Sequence, residues 1–146
     1  MGKLLETRLT RLSAPGMAGL VRGGQRGVER ECLRVTPAGQ LARTPHPRAL
    51  GSALTNEHIT TDYSEALIEL VTPPFPHTWE LLQYLCDLHK FVYRHMDDEL
   101  LWATSMPCAI KGEASIPIAQ FGSSNVGRMK TVYRQGLGHR YGRVMQ

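Results

Sequence analysis

The chain has too few cysteines for a disulfide scaffold. Cys32, Cys86 and Cys108 are odd in number and widely spaced, and they form neither a paired framework nor a zinc motif. That usage suits a reducing compartment, with each cysteine expected as a small buried hydrophobe. Long apolar runs are missing too, which excludes a membrane-spanning helix. The first residues, M-G-K-L-L-E-T-R-L-T, lack the apolar core and cleavage site of a secretory leader, so the expected location is cytoplasmic. Acidic residues are absent after Glu113, while Arg128, Lys130, Arg134, Arg140 and Arg143 follow it. A basic end can attract nucleic acid. Here the net charge is only +4, and the aromatics, 7% of residues, form no stacking platform. A few placed arginines fit small anions better, so neither nucleic acid nor membrane is an expected partner.

What remains is one soluble globular domain's worth of chain, 146 residues with 42% hydrophobic and 21% charged. Its most informative feature is a set of carboxylates in two strand-like runs. G-V-E-R-E-C-L-R-V holds Glu29 and Glu31, and I-T-T-D-Y-S-E-A-L-I-E-L-V-T-P holds Asp62, Glu65 and Glu69. Side chains alternate along a strand, so Glu29, Glu31, Leu33 and Val35 are expected on one face, and Glu65, Leu67, Glu69 and Val71 on another. Acids in line with apolar residues belong at the edge of a core, where an unpaired charge is costly. A hard divalent cation would meet them there and bring phosphates with it. The plainer reading is a solvated acidic face, or one paired with Arg30 and Arg34 of a neighbouring strand.

Along the chain, Leu4, Leu5, Leu9 and Leu12 suggest an opening helix, and residues 16–27 a glycine-rich turn region without the order of a phosphate-binding fingerprint. A strand over 28–35 ends at Thr36-Pro37-Ala38-Gly39, and residues 40–44 return beside it. The run from Ile59 fits strand or short helix, since Leu67, Ile68, Leu70 and Val71 also have helical spacing; its β-branched residues and the stop at Thr72-Pro73-Pro74 favour strand through Glu69. A helix from about Thr78 to Leu100 carries the apolar stripe Leu81, Leu82, Leu85, Leu88, Val92 and Met96, with Thr78 as its cap and Asp97-Asp98-Glu99 as a solvated end. His89 and His95 on it stand off any shared ligand face. A second helix begins at Ser124-Asn125 and is expected to stop at Gly136 and Gly138. On it Tyr133 and Leu137 are i, i+4 neighbours beside Arg134, suited to core packing or to a small-ligand pocket.

These runs, with H-P-R-A-L-G-S-A-L-T, S-M-P-C and Q-F-G-S-S-N-V-G-R-M-K-T-V-Y-R-Q-G-L-G-H-R-Y-G, resemble the proteobacterial glutamate–cysteine ligases in order and over nearly all the chain from Gly27 onward. The resemblance implies an α+β fold, part of a glutamine-synthetase-like curved antiparallel sheet with flanking helices. It implies ATP-dependent joining of L-glutamate to L-cysteine through a γ-glutamyl phosphate, the first step of glutathione biosynthesis, with Mg²⁺ (or Mn²⁺) as the metal. It assigns Glu29, Glu31, Asp62 and Glu69 to metal binding, and Tyr63, Tyr133, Arg134 and Leu137 to the cysteine pocket. Tyr63 stands where phenylalanine is more usual, and Glu65 and Arg128 are motif members with no separable role. Because the family's enzymes run much further, the chain is expected to be a single incomplete N-terminal part of a catalytic domain, inactive alone. The alternative from the same ancestry is a non-catalytic module that binds an amino acid or a partner chain.

Overall fold

Alternating polar and apolar residues over Glu29–Val35 make the central strand of the molecule, and the rest of the sheet is built on it. The computed structural model describes residues 2–141, without the side chains of Ala18, Val21, Glu113 and residues 137–141. The order is helix α1 (Gly2–Leu12), short helix α2 (Met17–Val21), strands β1 (Glu29–Val35), β2 (Ile59–Thr61) and β3 (Leu67–Val71), helix α3 (Thr78–His95), strand β4 (Leu100–Leu101) and helix α4 (Asn125–Tyr141). The four strands lie in the order β2-β3-β1-β4, all antiparallel. This is the expected α+β class. Helix α2 interrupts the region read as glycine-rich turn.

The second acidic run is a hairpin and not one strand. Asp62 N–H donates to Leu67 O at 3.0 Å, Leu67 N–H to Ser64 O at 2.9 Å, and Ala66 N–H to the Ser64 hydroxyl at 3.2 Å. The serine thus stabilises a turn over 62–66 through its own backbone, and β2 folds back on β3. Residues 40–44 return beside β1 as expected, with Ala42 N–H donating to Arg34 O at 2.9 Å.

One face of the sheet packs against α3. Cys32, Ile59, Ile68, Leu70 and Leu101 meet Leu50, Val92 and Met96 there, with Leu85 and Leu88 against them. Leu82 of the expected stripe is instead 45% exposed. The N-cap of helix α3 is His77, one residue before the expected Thr78, and it makes no side-chain cap bond; the helix stops at His95 with Met96 extended. It stops early because Leu100 and Leu101 pair with Val35 and Arg34 of β1, and the intervening Asp97-Asp98-Glu99 must turn.

Glu99 is therefore no solvated helix end. Its Oε2 accepts from Arg34 Nη1 at 2.6 Å, with the side chains 1% and 15% exposed for Arg34 and Glu99. Arg34 further donates to the Thr44 hydroxyl and carbonyl, both at 2.7 Å, and to Glu65 O at 2.9 Å. Helix α4 does not stop at Gly136 or Gly138 but continues to Tyr141. Glycine raises the cost of helix by about 1 kcal/mol without blocking its hydrogen bonds. Ser124 does cap it, accepting from Gly127 N–H at 3.2 Å. Cys32 and Cys108 are buried as expected, whereas Cys86, on the outer side of α3, is exposed.

Candidate active site

The face of the sheet opposite α3 carries the carboxylates. On this face β1 presents Glu29, Glu31 and Leu33, and β3 presents Leu67, Glu69 and Val71, all exposed or half-exposed. The register sets Glu31 directly opposite Glu69, and Glu29 opposite Val71. Further along, the same side closes over Val35, Leu41, Ala42, Ala66 and Cys108, with Leu33 and Trp102 packed against them. The acids thus stand at the margin of an apolar cluster, as their alternation with leucine and valine implies.

Asp62 joins them from the turn between β2 and β3. The Glu31 carboxyl is pushed above the ordinary glutamate range, first by burial and then by the charge and hydrogen-bonding reach of Asp62, with Glu29 adding to it. Glu69 is raised as well, by burial first, then by Asp62, Glu29 and Glu31, while Lys130 opposes the shift. Asp62 and Glu29 thus act on both Glu31 and Glu69. A site whose carboxyls are raised by burial, with neighbouring acids adding to it, is short of positive charge. The donors are hard oxygens, and their chemistry fits a hard divalent cation. Among the described residues, no three histidine, cysteine, aspartate or glutamate side chains already converge as a group able to hold an ion. The acids are neighbours, not a formed chelate.

Glu65 does not belong to this face. Its side chain turns inward, 6% exposed, and one oxygen accepts from His46 N–H at 2.8 Å while the other accepts from Gln120 N–H at 2.7 Å. It fastens the 62–66 turn to two remote segments, a structural role that alternation alone had placed on the wrong side.

The expected cysteine-pocket residues lie beside the acids. Tyr63 follows Asp62 in the turn, where its carbonyl accepts from Ala119 N–H at 3.0 Å. Its ring meets that of Tyr133 on α4 edge-on, with centroids 6.0 Å apart and planes at 61°. Tyr133 is 61% exposed, so this wall stands open. Arg134 Nη1 donates to Ile116 O at 3.1 Å. Leu137 follows on α4, with its side chain outside those described, and Arg128 is exposed. Gly127 seats the helix: a Cβ there would fall 2.6 Å from the Gly122 carbonyl oxygen, a clash no side chain avoids.

Lys130 is the residue that sequence reasoning passed over as part of a basic tail. It links the two groups, with Nζ 3.9 Å from Asp62 Oδ1. Its position was legible in spacing, because Lys130, Tyr133, Arg134 and Leu137 fall at i, i+3, i+4 and i+7 on one helix face.

The architecture is shared with solved ligases. The glutamate–cysteine ligase of Francisella tularensis, solved in complex with AMP, superposes with a TM-score of 0.76 at 49% identity, over 84% of this chain and 24% of that one. A bifunctional glutathione synthetase from Pasteurella multocida superposes with a TM-score of 0.70 at 29% identity, over 97% and 17%. The profile of the family described as glutamate-cysteine ligase matches residues 9–146, and the chain belongs to that family. It is 58% identical over 144 residues to the glutamate–cysteine ligase of Alcanivorax borkumensis and 55% identical over 146 residues to that of Pseudomonas putida strain W619. In each case it spans 27% of the relative's length. Among the described residues no helix is long and apolar enough to cross a membrane.

Proposed function

We propose that this chain supplies the carboxylate wall and one side of the amino-acid pocket of an ATP-dependent glutamate–cysteine ligase. The reaction joins the γ-carboxylate of L-glutamate to the amine of L-cysteine by way of γ-glutamyl phosphate. The observation that carries the reading is the Glu31–Glu69 cross-strand pair with Asp62 and Glu29 about it, in a chain of this family. The nucleotide in the Francisella relative supports ATP as co-substrate. In this reading the chain is one portion of a longer catalytic unit.

Glu29, Glu31, Asp62 and Glu69 would hold Mg²⁺. When bound, the cation offsets phosphate charge and orients the γ-phosphoryl group for in-line transfer. The chain's own contribution is preorganisation. The β1–β3 register fixes Glu31 against Glu69, and the turn sets Asp62 on the acids while Tyr63 faces Tyr133. The nucleophilic amine of cysteine, held against the tyrosines, would then be presented next to the acyl phosphate. Tyr63, Tyr133, Arg134 and Leu137 would shape that pocket.

The test is turnover by a full-length ligase carrying this segment. Glu29→Gln and Glu69→Gln keep side-chain shape but remove charge, so each should lose most activity even at saturating Mg²⁺. Near-normal turnover by both would overturn the assignment. The 146-residue chain alone should release no ADP with glutamate and cysteine; release dependent on both amino acids would show that it completes a site by itself.

A further inference from the structure

Lys130 is buried to a degree unusual for a lysine, with a side chain 13% exposed. Three kinds of acceptor surround its ammonium. It donates to the Asp62 carbonyl and, at 3.4 Å, to the Thr61 carbonyl. It lies 3.9 Å from Asp62 Oδ1, and it sits 5.0 Å from the centroid of the Phe121 ring. Glu69 and Glu65 also act on it through their charge. Neither basic neighbour on α4 takes this place, since Arg128 is exposed and Arg134 reaches the Ile116 carbonyl. Phe121 and the Gly122 carbonyl beneath Gly127 fix the first turn of α4, so the lysine is delivered from a seated helix.

We propose that Lys130 is the internal counter-cation of the carboxylate face, a fixed positive charge that holds the acids together without metal and sets how readily they take a divalent cation. The second half of this statement rests on reading the face as a cation site; the first half does not. The ammonium is tethered, so it lowers the repulsion between Asp62 and Glu69 at all cation concentrations. A divalent ion entering beside it must share the acids with a charge that cannot diffuse away. Lys130 is also three residues before Tyr133 on the same helix face. Its bonds to Thr61 and Asp62 therefore place the Tyr133 ring against Tyr63 of the adjoining turn. One side chain connects cation affinity to the geometry of the amino-acid wall.

The experiment is a Mn²⁺ titration of the 146-residue chain followed by electron paramagnetic resonance, for wild type, Lys130→Gln and Lys130→Arg. It is paired with metal-free thermal melts at low and high sodium chloride. Removing one fixed charge near a divalent ion should tighten Mn²⁺ binding in Lys130→Gln by about tenfold, with Lys130→Arg within about twofold of wild type. Metal-free Lys130→Gln should melt below wild type at low salt, and that deficit should shrink at high salt as the acids are screened. A folded Lys130→Gln that binds Mn²⁺ no more tightly than wild type would overturn the control of cation affinity. Should the wild-type chain take up no Mn²⁺, the cation-site reading fails and the melts decide the counter-cation alone. A deficit that ignores salt, or a variant unfolded at both salt concentrations, would overturn it in favour of plain packing. A variant that folds only at high salt would support it.

Discussion

Glu31 of β1 and Glu69 of β3 are direct antiparallel partners, two like charges on one face of a sheet. Like charges directly opposite are destabilising by about 0.2–1 kcal/mol relative to a neutral pair. The metal-free chain should therefore gain stability of about that size on Glu31→Gln, while losing part of the rise in melting temperature that Mg²⁺ gives wild type. Denaturant titrations with and without Mg²⁺ measure both effects. A variant less stable than wild type without metal would show that the pair is not repulsive.

The acids also set a pH dependence. Glu31 and Glu69 both stand above the ordinary glutamate value of 4.5, burial being the first cause in each. Between that value and the raised folded ones, the folded chain holds more protons than the unfolded chain. Stability from these two groups therefore falls as pH rises through that window, and it stays lower above it. Melts of wild type and of the Glu31→Gln/Glu69→Gln double variant, from about pH 8 down to about pH 4, should differ in slope there, the double variant being flatter. Parallel profiles would contradict the raised Glu31 and Glu69 carboxyls.

Removing Glu99 should be far more damaging than its exposed-looking sequence context suggests. Arg34 is fully buried, and Glu99 is its only carboxylate partner among the described residues. Breaking a buried pair from one side costs about 3–5 kcal/mol, because the remaining charge stays desolvated. Glu99→Ala should lower the unfolding free energy by that order, whereas Asp97→Ala, at an exposed neighbour, should change it little. Equal effects of the two would dismiss the Arg34–Glu99 bridge.

Thiol labelling distinguishes the cysteines. Cys86 is exposed, while Cys32 and Cys108 are buried and their thiols are raised above the usual range by burial first. Native chain should react with an aromatic disulfide reagent at Cys86 alone, and at all three positions after denaturation. Rapid native labelling of Cys32 would mean that α3 does not cover the sheet.

Local pattern determined a good deal of this protein. Alternation set Glu29 and Glu31 on one side of β1 and Cys32 on the other, and put Leu67, Glu69 and Val71 together on β3. The helical stripe identified α3, and Ser124 announced α4. The ordered motifs carried the family. These features depend on periods of two and 3.6 residues, which a sequence displays without knowledge of what lies across from it.

Tertiary structure decided the rest, in each case through partners distant along the chain. Whether 59–71 is one strand or a hairpin turned on Ser64 and on Glu65, whose carboxylate is held by the His46 and Gln120 amides. The end of α3 was set by the pairing of Leu101 with Arg34, which also brought Glu99 to that guanidinium. Lys130 became part of the site only when α4 lay across the β2–β3 turn. A buried charge must find its partner wherever the fold places one, and no periodicity in the sequence records that address.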